Sequence, residues 1–215
     1  RTPVDQKRRP WARYLPGVGS PGMRWLDNDN QPFQGHQELK GTATVSQSGA
    51  EKIFGLSGYD LDKIFSFHKE GGINSFEMDI SATLSRSSIQ REVNSANVIG
   101  YVEGSDPELR NQFLIYTAHL DHIGIRTGKE GDDIHNGAYD NAAGIGSILE
   151  IADSISIMNP APRRSIIFAA VTAEEKGLQG SSYFVKNPPI PIENLVANIN
   201  IDMPYLGFPV ADLHA

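Results

Sequence analysis

Several blocks of this sequence place side chains that can hold a divalent metal ion at the ends of apolar runs. The run from Phe113 to Ala118 leads into His119-Leu120-Asp121-His122, and the run from Ile166 to Val171 passes through Thr172-Ala173 into Glu174-Glu175. A third run, Leu195 to Ile201, stops at Asp202, and Asp140 stands where a Gly- and Asp-rich stretch gives way to a periodic one. One acid at such a place reads as the start of a solvated loop. Carboxylates delivered together by separate strand ends read differently, because clustered carboxylates raise one another's pKa unless a cation neutralises them. The chain has no cysteine, so any metal is held by His, Asp and Glu, the donor set of catalytic rather than structural zinc. Two ions about 3.5–4 Å apart can share a bridging carboxylate, polarise a carbonyl and activate water.

These residues need a scaffold that brings distant strand ends to one rim. Val98 to Val102, Phe113 to Ala118, Ile166 to Val171 and Leu195 to Ile201 are nearly continuous apolar runs, as strands covered on both faces require. Between them, Ile145, Ile148, Leu149, Ala152 and Ile155 fall three and four apart, which predicts a helix from about Asn141 to Ile157, capped by Asp140 or Asn141 and ended before Pro160. A short helix is expected from Gly180 to Lys186. The fold class that follows is α/β, a mostly parallel mixed sheet with helices on both faces. In such sheets ligands bind beyond the carboxyl ends of the strands. Upstream, Ser46 to Lys69 is helical in pattern, broken at Gly55 and Gly58, and Phe76, Met78, Ile80, Ala82 and Leu84 alternate as a half-buried strand would. The Pro- and Gly-rich stretch from Arg1 to about Thr44 reads as loops, with Lys7-Arg8-Arg9 a solvated surface run.

Four blocks together carry a more specific signal. Thr117-Ala118-His119-Leu120-Asp121-His122, Asn136 through Gly144, Thr172 through Ser181 and Asn200-Ile201-Asp202-Met203 stand in the order seen in M28 metallopeptidases. The chain resembles that family from roughly Ser46 onward. The resemblance implies an aminopeptidase-type enzyme of the zinc-exopeptidase fold, with two zinc ions per complete site, acting on N-terminal peptide bonds through a zinc-activated hydroxide. It assigns His119 and Asp202 to one zinc, Glu175 to the other and Asp140 to the bridge, with Glu174 the general base and Asp121 the partner that orients His119. These roles are chemically coherent. Adjacent Glu174 and Glu175 point different ways on extended backbone, and an unligated carboxylate can shuttle a proton.

The resemblance also implies a further histidine ligand well beyond Asp202. His214 follows too closely for that role, so the chain is expected to be a fragment of a longer enzyme; by itself it is expected to bind one zinc well at His119, Asp140 and Asp202, to bind the second weakly or not at all, and to have little activity. Residues 1–45 are expected to be a remnant of an inserted protease-associated-like domain or a linker, and 46–215 a partial catalytic domain. The resemblance further implies a secreted or periplasmic protein with peptides as its substrates. His122 is expected to make structural hydrogen bonds rather than line the site; His36, His68 and His135 read as surface residues.

Composition narrows the alternatives. With 39 % hydrophobic and 21 % charged residues the 215-residue chain is ordinary globular material, and its net charge of −7 argues against nucleic-acid binding. No apolar run approaches the roughly 20 residues of a membrane span. His-Glu-x-x-His and Gly-x-Ser-x-Gly are both absent from the sequence, which removes one-zinc proteases of that type and the common serine-hydrolase elbow. A glutaminyl cyclase-like transferase lacks the His-x-Asp ligand that His119 and Asp121 supply here. A non-catalytic binding module on the same fold loses ligands or the base, whereas all of them are present.

Overall fold

In the computed structural model the described residues are 7, 10–13, 21–35, 38–72, 75–125 and 131–204. His36, His214, Arg8 and Arg9 lie outside them. The chain divides into two compact units, Arg1–Gly22 with Gly35–Arg91, and Met23–Gln34 with Glu92–Ala215.

In the first unit, helix α1 (Gln47–Leu56) starts where the Ser46 hydroxyl accepts a hydrogen bond from the Gly49 amide at 3.0 Å. It ends ahead of Gly58, whose φ of +74° suits glycine. Helix α2 (Leu61–Lys69) begins at Asp60, whose carboxylate accepts from the amides of Asp62 and Lys63. The break between α1 and α2 thus falls at Gly58, one of the two expected glycines, while Gly55 lies within α1. The strand expected from Phe76 to Leu84 is not formed. No neighbouring strand pairs with it among the described residues, and Ile80 and Leu84 stay exposed. Alternation stabilises a strand only when one face is buried and the ladder is paired. Phe76 instead stacks on Tyr59, ring centroids 4.2 Å apart.

The second unit is built on a four-stranded sheet of order β1-β5-β2-β6, comprising β1 (Val98–Val102), β2 (Phe113–His119), β5 (Ser165–Val171) and β6 (Leu195–Asn200). β2 runs parallel to both β5 and β6, while β1 is antiparallel to β5. Helix α3 (Ala143–Ser156) packs Ile148 and its neighbours with Ala118, Ile166 and Phe168 on one face. Helix α4 (Gln179–Lys186) packs Phe184 with Ile115, Ile167, Ala169 and Val171 on the other. Both faces of β5 are therefore covered, which is why its residues read as one apolar run rather than alternating. A short hairpin of β3 (Gly124–Ile125) and β4 (Ile134–His135) interrupts what the sequence suggests is plain loop. No helix among the described residues is long and apolar enough to cross a membrane.

The register places the chemistry. His119, the last residue of β2, lies opposite Val171, the last of β5, and Thr117 lies opposite Asn200, the last of β6. Three parallel strands thus release their chains at the same edge of the sheet. The Leu120 amide donates to the Val171 carbonyl and the Ile201 amide to the Thr117 carbonyl, extending the ladder into the residues that follow.

Candidate metal centre

His119 is the most buried member of the cluster at this edge, only 3 % exposed. Its Nδ1 sits 2.9 Å from the backbone carbonyl of Asp121. A carbonyl only accepts, so Nδ1 carries the proton and Nε2 presents its lone pair. That lone pair faces Asp140 Oδ1 at 3.1 Å and Asp202 Oδ1 at 3.4 Å. Neither approach has hydrogen-bond direction, and Nε2 has no hydrogen-bond partner. Acceptors this close repel unless the ring is protonated or a cation lies between them. The burial of His119 sharpens the conflict, while Asp140 and Asp202 are each 36 % exposed and open to an arriving ion. Donors roughly 2.0–2.1 Å from a tetrahedral zinc stand about 3.3 Å apart, which matches the spacing seen.

A second trio shares Asp140. His122 Nδ1 lies 2.9 Å from Glu175 Oε1 and 3.9 Å from Asp140 Oδ1, again without hydrogen-bond geometry. Within each trio, His119-Asp140-Asp202 and His122-Asp140-Glu175, the donor atoms lie within 4.8 Å of one another. The donors are imidazole and carboxylate, a set suited to zinc.

Local structure explains how these side chains are held. Asp140 belongs to the irregular turn Ala138–Ala142 that runs into α3, with non-helical backbone at Asp140 (φ −114°, ψ 88°) and Asn141 (φ −137°, ψ 37°). The next residue, Asn141, is buried. Its Nδ2 donates to the Ile201 carbonyl at 2.9 Å, and its Oδ1 accepts from the amides of Gly144 and Met203. One carboxamide therefore caps the helix and ties the Asp140 turn to the segment carrying Asp202. Gly144 leaves the room for this, since a Cβ there would collide with the Asn141 side chain and the Ile201 carbonyl.

The acidic turn after β5 is braced from three sides. The Asp121 carboxylate accepts from the backbone amides of Glu174 at 2.9 Å and Glu175 at 3.2 Å. Asn97 accepts from the Thr172 amide and donates to the Gly180 carbonyl. Gln179 donates through Nε2 to the carbonyls of Gly177 and Lys176 and accepts at Oε1 from the Trp25 amide. The turn also carries Ala173 at φ +52°, a left-handed conformation uncommon for a residue with a side chain.

All six residues singled out in the sequence lie at this edge, but Asp121 is used differently from the expectation. Its carboxylate was expected to accept from the His119 imidazole, yet Oδ1 is 3.9 Å from Nδ1, and the carbonyl of the same residue takes that bond. The carboxylate is already engaged by two amides. His122, expected to make only structural hydrogen bonds, faces Glu175 and Asp140. His135 lies in β4 with its ring 6.1 Å from that of His122, and His68 is exposed on α2. Asn141 accepts from the Gly144 amide, as the expected cap of this helix would, whereas Asn97 and Gln179 carried no signal as braces, because an isolated amide side chain has no spacing to read.

Burial pushes the Glu174 carboxyl above its ordinary pKa. The His119 ring opposes this, and Glu175, Asp202 and Asp121 add to the rise. For His119, burial works to lower the pKa. The Asp121 carbonyl and the charges of Glu174, Asp202 and Asp121 outweigh it, leaving a net rise. Beside His119 and Glu174 a cleft of about 330 Å³ opens, lined further by Leu178, Phe184, Asn198 and Asn200. The Thr117 hydroxyl lies 3.1 Å from Asn198 Oδ1 and 2.8 Å from Asn200 Oδ1, within hydrogen-bond distance of both carboxamide oxygens.

Residues 97–209 match the profile of peptidase family M28. This chain belongs to that family. The M28 chain is 34 % identical over 116 residues to aminopeptidase NAALADL1 of Rattus norvegicus, an alignment covering 51 % of this chain and 14 % of that protein. It is 27 % identical over 169 residues to an aminopeptidase of Pseudomonas aeruginosa, covering 77 % of this chain and 28 % of the other. Among solved structures it is similar to the zinc aminopeptidase BSAP of Bacillus subtilis, with 28 % identity and a TM-score of 0.39 over 50 % of this chain and 24 % of that one. The M28 chain thus spans well under a third of the length of these relatives.

Proposed function

We propose that this chain carries the metal-binding core of a zinc-dependent aminopeptidase that hydrolyses N-terminal peptide bonds. One observation carries the reading: the lone pair of the buried His119 Nε2 faces Asp140, in the turn before α3, and Asp202, just past β6, with no hydrogen bond to relieve it. Membership of peptidase family M28 and the resemblance to aminopeptidases support it. In this reading His119 and Asp202 hold one ion, Glu175 contributes to a second, and Asp140 lies between the two. Bound zinc would supply Lewis acidity toward the scissile carbonyl and lower the pKa of water.

The residues of the chain do the rest. The Asp121 carbonyl keeps the His119 proton on Nδ1 and so leaves Nε2 free as a donor atom. The Asp121 carboxylate fixes the backbone of Glu174 and Glu175, so that one can bind metal while its neighbour faces substrate. Glu174, with its raised pKa, takes one proton from the attacking water and later delivers it to the departing amine nitrogen. The acidic rim attracts the free α-amine of the substrate.

A paired assay tests this. An enzyme that joins this chain to the downstream histidine implied by the family resemblance is expected to hydrolyse leucine p-nitroanilide but not its N-acetylated form. It is expected to lose that activity in 1,10-phenanthroline and to regain it with added zinc, whereas the chain by itself is expected to show little activity. Equal cleavage of blocked and free substrates would exclude an aminopeptidase. Activity indifferent to the chelator would exclude the metal.

A further inference from the structure

We propose that the strap Met23–Gln34 positions Glu174, acting through the side chain of Gln179; this rests on the reading of Glu174 as general base above. The strap belongs to the second unit, although the chain passes from it through Gly35–Arg91 before returning at Glu92. The Phe33 amide closes it by donating to the Trp25 carbonyl. Trp25 stacks on Phe33, ring centroids 4.0 Å apart, and meets Tyr183 edge-on at 5.3 Å. Its indole Nε1 donates to the Ser182 hydroxyl at 3.2 Å, and Lys186 Nζ stands 5.7 Å from the Phe33 ring. Gln179, Ser182, Tyr183 and Lys186 fall three and four apart, so the strap is fastened along one face of α4.

One of these contacts reaches the acidic turn. The Trp25 amide donates at 3.2 Å to Oε1 of Gln179, the first residue of α4 and only 7 % exposed. A backbone amide only donates, so it fixes which end of the carboxamide is oxygen and turns Nε2 toward the loop between β5 and α4. Nε2 donates there to the carbonyls of Gly177 at 2.8 Å and Lys176 at 3.3 Å. These carbonyls belong to the same two peptide groups whose amides, on Leu178 and Gly177, donate to the Glu174 carbonyl at 2.9 and 2.8 Å. A continuous chain of hydrogen bonds thus runs from the strap through Gln179 and two peptide groups to the backbone of Glu174, and bonds in such a chain strengthen one another.

The turn needs holding. It contains Ala173 at φ +52° and Leu178 at φ +60°, left-handed backbone at residues that carry a side chain. Such conformations persist only where the surroundings over-determine them. Asp121 takes the amide side of Glu174, and Gln179 secures the carbonyl side through Gly177 and Leu178. A base has to lie within about 2.6–3.2 Å of the proton it takes, so the anchoring of its backbone on both sides bears directly on its work.

Kinetics of the enzyme that joins this chain to its downstream histidine test the proposal. Gln179→Met keeps the side chain's length but neither donates nor accepts. It is expected to lower kcat by about 10- to 100-fold, the upper figure being the effect of a misplacement of about 1 Å. Zinc content is expected to stay unchanged and KM within a few-fold. Trp25→Ala is expected to act in the same direction by a smaller factor. In a Glu174→Gln background, Gln179→Met is expected to change kcat by less than about 2-fold, because the group it positions no longer takes the proton. A merely structural residue would cost the same in both backgrounds. Independently of turnover, the Nε2 protons of Gln179 in nitrogen-15-labelled protein are expected to exchange with solvent about 5- to 10-fold faster in Trp25→Ala, the effect of one lost hydrogen bond. Unchanged exchange, normal turnover in either single variant, or equal losses in the two backgrounds would overturn the strap's role and leave Glu174 as the base. Normal turnover in Glu174→Gln would overturn the base reading and this proposal with it.

Discussion

Replacing Asp140 with Ala is expected to remove both zinc ions at once, whereas Glu175→Ala removes one and Asp202→Ala removes the other. Asp140 Oδ1 is the oxygen nearest His119 Nε2 and is also within 3.9 Å of His122 Nδ1. It is the residue common to the two trios. Without it the first position keeps one imidazole and one carboxylate and the second loses the carboxylate it shares, which leaves too few protein ligands for a stable zinc site at either. Metal analysis of purified protein reads this directly. Stability provides an independent check, since an ion present at about 1,000 times its Kd adds roughly 4 kcal/mol to the folded state. The zinc-dependent rise in Tm seen for wild type should vanish in Asp140→Ala. Retention of either ion at wild-type affinity would mean that Asp140 does not bridge.

The second large effect is expected at Glu174. Glu174→Gln keeps the shape of the side chain and its place in the turn, where the backbone amide donates to Asp121, but cannot accept a proton. Loss of a general base typically costs about 10²–10⁴ in rate. The prediction is a fall of that size in kcat, with zinc content unchanged and KM within a few-fold of wild type, the pattern of an interaction made in the transition state. Glu174 belongs to neither trio. A variant that loses zinc would therefore be a ligand mutant, and one that keeps normal turnover would remove Glu174 from the mechanism.

The sequence disclosed the scaffold better than the atoms within it. The strands ending at His119 and Val171 and the helix carrying Ile148 were legible because burial on both faces, or on one helical face, leaves a local pattern. The segment from Phe76 to Leu84 carries an equally clear alternation and forms no strand, because pairing depends on a neighbour that pattern cannot supply. At the site, residue types and chain ends pointed to the edge of the sheet where His119, Asp140 and Asp202 come together. The partner of His119 Nδ1 was not legible, since choosing between the carbonyl and the carboxylate of Asp121 depends on how the Glu174-Glu175 amides engage the latter. The place of His122 was hidden for a related reason, because it depends on Gly137, fifteen positions downstream, whose positive φ and missing Cβ leave the His122 side chain its room.

The most direct measurement is anomalous scattering at the zinc edge from crystals grown with zinc. Two peaks are predicted, one roughly 2.0–2.2 Å from His119 Nε2 and from carboxylate oxygens of Asp140 and Asp202, the other at similar distances from Asp140 and Glu175. Saturating zinc bound elsewhere, with His119 Nε2 still facing bare carboxylates, would contradict the metal centre itself.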